Sequence, residues 1–222
     1  MRRVLVLTEG QTEEVFIKRV LQPHLWQHGV SLEPKIVTTK HVIGGANIKG
    51  GGDVQKMLAD IRRSLGDTNA AAVTTLFDFY GFPSNLPSVA DKVYRDIDLL
   101  TQSIQNAVAD TRFKAYLQRH EFEAFLFVDT QVTAAVAGMP EQAASLQSQR
   151  NRFETVEDIN LDPTLAPSKR LTAAFGRYSK PVTGSVVTQR IGVDRLRGGM
   201  PPFCPVAGLA RVFWCACRMN VS

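Results

Sequence analysis

Residues Arg3-Val4-Leu5-Val6-Leu7-Thr8-Glu9-Gly10 run through four apolar positions and stop at an acid and a glycine. An unbroken apolar run without polar alternation reads as a strand buried on both faces. The next segment, Gln11–Gln22, pairs Phe16 with Val20 and Ile17 with Leu21 at i,i+4, the spacing of a helix. Pro23 is expected to end or kink it. Lys35–Val42 is rich in β-branched residues and predicts a second strand. Gly44–Gly52 is a glycine-rich loop, and Asp53 is an N-cap for Val54, Met57, Leu58, Ile61 and Leu65, which repeat with helical period. Ala70–Phe77 predicts the third strand, ending at Asp78. Val89, Val93, Ile97, Leu100, Ile104 and Val108 predict one long helix, and Arg112–Gln118 a fourth strand. Strands alternating with helices imply an α/β fold: a mostly parallel four-stranded sheet flanked by helices.

The pattern changes after His120. Glu121–Val128 fits strand or helix, and a helix beginning near Glu121 is favoured. Short helices follow at Thr130–Ala137, Glu141–Phe153, Ser168–Arg177 and Gly184–Arg195. The expected division is an α/β domain over 1–128, a small helical C-terminal part over 129–198 packed on it, and an atypical tail over 199–222. That tail holds three prolines and then an apolar stretch with no polar face.

Charge is unevenly placed. Residues 1–164 hold 17 Lys+Arg and 20 Asp+Glu, and residues 165–222 hold 9 and 1, a net −3 followed by a net +8. A basic final quarter suits a polyanion or acidic partner, and a solvated basic surface accounts for it equally. No apolar run approaches the ~18–20 residues of a membrane span. The N-terminal run is shorter than the roughly 7–15 residues of a secretion signal, which predicts a cytoplasmic chain. Three cysteines, all beyond residue 203, make no disulfide framework.

Ligands of open parallel sheets sit at the carboxyl ends of the strands. Glu9 follows the first strand, Asp78 the third, and His120, Glu121 and Glu123 the fourth. Carboxylates gathered at one edge repel unless something positive lies between them. Hard divalent cations take one or two carboxylates with waters and substrate phosphates, the arrangement of metal-assisted phosphoryl transfer. Alternatively, Glu9 and Glu121 are helix N-terminal charges favoured by the dipole. The stretch Gly44–Gly52 lacks the order of a phosphate loop. His24, His28 and His41 have no metal-ligand spacing.

Four blocks carry a resemblance. Thr8-Glu9-Gly10-Gln11-Thr12-Glu13 is similar to the opening of TOPRIM-like proteins. Together with Phe77-Asp78-Phe79-Tyr80-Gly81-Phe82-Pro83, His120–Phe127 and Ala166-Pro167-Ser168-Lys169-Arg170-Leu171, it resembles the bacterial domain-of-unknown-function family 4276. The resemblance implies a TOPRIM-like fold, with Glu9 matching the TOPRIM glutamate, Asp78 the first aspartate, and Glu123 the glutamate of an "FE" motif. TOPRIM relatives include topoisomerases, primases and overcoming-lysogenization-defect nucleases, and several act beside ABC-type ATPases in phage defence. Two departures stand out. Tyr80 occupies the second position of the usual Asp-x-Asp, and a phenol titrating near about 10 is a poor Mg²⁺ ligand. The missing oxygen then comes from Glu13, Glu121 or Glu123, or one metal is held weakly. The tail departs too, reading Met200-Pro201-Pro202-Phe203 where the family has Cys-Pro-x-Phe, as a shifted frame near Gly199 would give.

The expected function is a Mg²⁺- or Mn²⁺-dependent TOPRIM-like nuclease. Glu9, Asp78 and Glu123 hold metal, Glu121 or His120 moves protons, and Lys169, Arg170 and Tyr80 meet the nucleic acid. The alternative is a non-catalytic module that binds nucleic acid or an ATPase.

Overall fold

The computed structural model describes residues 1–37, 54–79, 82–86, 89–160, 165–177 and 180–199. Strand β1 is Arg2–Thr8, β2 Val30–Ile36, β3 Ala72–Asp78, β4 Phe113–Lys114 and β5 Leu117–Gln118. They form one parallel sheet in the order β2-β1-β3-β4, with β5 also on β3. The α/β architecture with a parallel sheet therefore stands, with five strands where four were expected.

The extra strand comes from a split in Arg112–Gln118. Thr75 Oγ1 donates to the Tyr116 carbonyl at 2.7 Å and accepts from the Tyr116 N–H at 2.9 Å. Gln105 Oε1 accepts from the Ala115 N–H, and Gln105 Nε2 donates to the Phe113 carbonyl. Side chains thus satisfy main-chain groups that a continuous ladder would otherwise pair. β2 also departs from expectation, starting five residues before the predicted Lys35. Val30 and Leu32 bury on alternate positions, and Pro34 is tolerated because β2 lies at the sheet's edge. Residues 38–53, which hold the rest of that expected strand and the glycine-rich loop, lie outside the described residues.

Alternation along the strands separates two cores. Leu5, Leu7, Val73 and Phe77 pack under α3 (Val54–Leu65) and α4 (Ile97–Val108). Val4, Val6, Ala72 and Leu76 pack on the other face, beneath α1 (Gln11–Phe16) and the later helices. A π-helical turn, Ile17–Leu21, continues α1 into α2 (Gln22–Trp26). The Gln22 N–H reaches back to the Ile17 carbonyl. Widening the helix just ahead of Pro23 lets it run on for three residues instead of breaking there. The long helix predicted from Val89 starts later. Asp96 accepts from the N–H groups of Asp98 and Leu99, caps α4, and leaves Asp91–Arg95 as a 3₁₀ turn.

Residues 122–128 form a 3₁₀ helix with every side chain from Phe122 to Phe127 buried. Phe122 and Phe125 sit 5.5 and 5.3 Å from Phe16, which seats this helix on α1. Then come α5 (Thr130–Val136), α6 (Ala143–Arg150), α7 (Pro167–Phe175), α8 (Ser185–Ile191) and α9 (Val193–Gly199). Gly192, at φ +79°, divides α8 from α9 where one helix was expected. Leu146, Leu171, Phe175 and Leu196 share a core with Val4 and Phe16. Among the described residues no helix is long and apolar enough to cross a membrane.

Candidate functional site at the carboxyl edge of the sheet

Thr8 pairs with Leu76 across β1 and β3, so Glu9 and Asp78 leave adjacent parallel strands at the same end. Asp78 in turn lies opposite Gln118 of β5. The period of two assigns faces. Thr8 continues the Val4–Val6 face, Asp78 the Ala72–Leu76 face, and Gln118 alternates with Leu117, which belongs to the opposite core. Thr8, Asp78 and Gln118 therefore line one side of the edge, the side covered by α1 and the Phe122–Val128 helix.

Thr8 and Gln118 are 0% and 4% exposed. The Thr8 hydroxyl and both polar atoms of the Gln118 amide have no hydrogen-bond partner among the described residues. Sequence reading missed both, because each looks like an ordinary strand residue. Only the pairing register shows them flanking an aspartate.

His120 and Glu123 are both buried, two and five residues past β5. His120 lies close enough to Asp158, in a 3₁₀ turn over Val156–Asn160, for their charges to interact. The Thr155 N–H donates to the Asp158 carboxylate at 2.9 Å and holds it below the usual carboxylate range. The Thr155 hydroxyl and the charges of His120 and Arg150 act in the same direction. Asp158 lies in a stretch without hydrophobic period, which gave the sequence no reason to single it out.

Glu121 takes a different role from its neighbours. Its Oε2 accepts from the Ser168 N–H at 3.0 Å, at the first turn of α7. A carboxylate there is favoured by the helix dipole, the alternative named for Glu121, though the helix is α7 and not its own. The contact brings α7, and exposed Lys169 with it, beside the carboxyl edge. Lys169 borders an open groove of about 350 Å³ with Ser168, Thr172 and Ala173.

Arg170 departs from the expected phosphate-tracking role. It is 7% exposed, its Nε donates to the Leu165 carbonyl at 2.6 Å, and its guanidinium lies 5.2 Å from the Phe153 ring centre. One residue along a helix turns the side chain by about 100°, which sends Lys169 outward and Arg170 inward. Tyr80 lies outside the described residues.

Among the described residues no three His, Cys, Asp or Glu side chains gather into a group able to hold a metal ion. The expected trio of Glu9, Asp78 and Glu123 does not form such a cage. The edge instead offers Glu9 and Asp78 at the ends of adjacent strands, with two buried neutral oxygens, Thr8 Oγ1 and Gln118 Oε1, on the Asp78 face. That hard-oxygen set fits a Mg²⁺ that keeps most of its water.

The chain matches the family described as domain of unknown function (DUF4276) over residues 8–204. It belongs to the DUF4276 family. No curated protein matches it. Among solved structures it is similar to the C-terminal region of the Burkholderia pseudomallei OLD protein. Identity is 15%, the match covers 96% of this chain and 98% of that one, and the TM-score is 0.47.

Proposed function

We propose that this DUF4276 chain is a TOPRIM-like, Mg²⁺- or Mn²⁺-dependent phosphodiesterase that cuts nucleic acid in the cytoplasm. The observation that carries the reading is the placement of Glu9 and Asp78 at the carboxyl ends of adjacent parallel strands. The ion would sit on Glu9 and Asp78 and would neutralise charge on the phosphoryl group. His120, with Asp158 near enough for their charges to interact, takes the proton from the water that attacks phosphorus. The P–O bond to one ester oxygen breaks, and that oxygen is protonated by solvent. Lys169 meets a flanking phosphate from the start of α7. On the motif resemblance, an ABC-type ATPase in phage defence is the proposed partner.

The test is cleavage of single- and double-stranded DNA and RNA with Mg²⁺ or Mn²⁺. Asp78→Asn is expected to abolish it. Cleavage that survives this substitution, or that needs no divalent metal, contradicts the mechanism. The second reading, a non-catalytic module that binds nucleic acid or an ATPase, is favoured by the lack of a three-carboxylate group among the described residues. It predicts no cleavage of any of the four substrates and no calorimetric Mg²⁺ binding lost on Asp78→Ala.

A further inference from the structure

Gln118 poses a physical problem as the protein stands. A buried amide with neither its N–H₂ nor its carbonyl satisfied costs about 1–3 kcal/mol per group. Natural chains leave few such groups, and each calls for an explanation. Among the described residues two side chains with such groups, Gln118 and Thr8, lie on one face of one edge. Gln118 lies opposite Asp78, and Thr8 lies on the next strand but one. Neither has a structural duty that the fold reveals. A methionine at 118 would fill the same volume and remove the penalty.

We infer that Gln118, assisted by Thr8, is a substrate-contacting residue of this edge, whose amide N–H₂ donates to a non-bridging oxygen of a bound phosphodiester. The inference rests on the proposed nuclease reading and adds to it a neutral reader that the carboxylates cannot replace. Asp78 and Glu9 repel a phosphate, whereas an amide presents donors without adding positive charge. The Gln118 carbonyl and the Thr8 hydroxyl lie on the same face of the edge as acceptors, suited to the waters of a hydrated divalent cation. One ligand pair, a phosphodiester and its cation, would satisfy all three buried atoms at once. The cost of leaving these groups without partners is then recovered on binding.

This predicts an unusual pair of effects from one substitution. Gln118→Met should raise the melting temperature, since it deletes the unsatisfied amide. It should also weaken binding of a short oligothymidylate in Ca²⁺, an ion chosen to leave the probe uncut, by about tenfold, the worth of one hydrogen bond to a charged group. In the wild-type protein the side-chain amide resonances of Gln118 should move when Ca²⁺ and the oligothymidylate are added together. This measurement does not depend on any variant folding. Unchanged affinity in Gln118→Met, or amide resonances that stay still while wild type binds the probe, overturns the role of Gln118 and leaves the nuclease reading standing. No binding of oligothymidylate by wild type in Ca²⁺, Mg²⁺ or Mn²⁺ overturns both.

Discussion

Lys169 and Arg170 are neighbours in sequence with opposite surroundings, and that difference can be measured. Arg170→Ala should destabilise the protein by about 1–3 kcal/mol, because it removes a buried guanidinium that packs on the Phe153 ring and donates to the Leu165 carbonyl. It should leave the slope of log affinity against log salt for nucleic acid unchanged. Lys169→Ala should do the reverse, flattening that slope by about one phosphate contact at unchanged stability. Asp158 supplies a pH test. Its folded pKa lies below its unfolded value near 3.9, so its contribution is present above that value and is lost as pH falls through the folded one. Thermal melts below about pH 4 should therefore fall less steeply with acid in Asp158→Asn than in wild type. Asp67, held low by Arg3, acts in the same direction and remains in both proteins. At this scale the sequence reveals groups that follow a strand directly, which is how Glu9 and Asp78 came into view. It hides groups whose meaning lies in what they fail to touch, such as Thr8 and Gln118. It equally hides Asp158, which reaches His120 from across the fold.

The interrupted strand between Arg112 and Gln118 shows how a single hydroxyl sets an element's limits. Thr75→Val keeps the shape and β-propensity of the residue but deletes the group that both donates to and accepts from Tyr116. Urea unfolding should show a loss of about 1–3 kcal/mol, larger than a buried Thr-to-Val exchange without such bonds would give. Asp96→Ala should cost about 1 kcal/mol through the loss of the α4 cap, again read from urea unfolding. Elements with a strong pattern, such as β1, β3 and α3, are legible because a continuous apolar run or i,i+4 spacing survives any context. The boundaries that moved did so for local reasons that periodicity does not record. A capping aspartate truncates the Val89 run, a glycine at positive φ divides α8 from α9, and a π turn carries a helix through Pro23.

Across the whole molecule, the later helices do not form a core of their own. Leu146, Leu171, Phe175 and Leu196 pack in one group with Val4, Val6 and Phe16. A fragment ending at residue 128 should therefore lack fixed tertiary packing, seen as lost near-ultraviolet circular dichroism with far-ultraviolet signal retained. A cooperatively folded fragment would instead mark 1–128 as an independent domain. The parallel order of the sheet was legible from the alternation of strands and helices, but this shared packing was not, since contacts between distant segments leave no periodic trace. It also imposes a timetable on synthesis. Translation delivers β1 first and α9 last, and at about 5–20 residues per second the interval between Val4 and Leu196 is about 10–40 s. For all that time one side of the first strand is an oily strip that α1 covers only in part. Ribosome-held chains stalled before α9 should stay protease-sensitive and captured by chaperones, and chains extended well past it should become resistant.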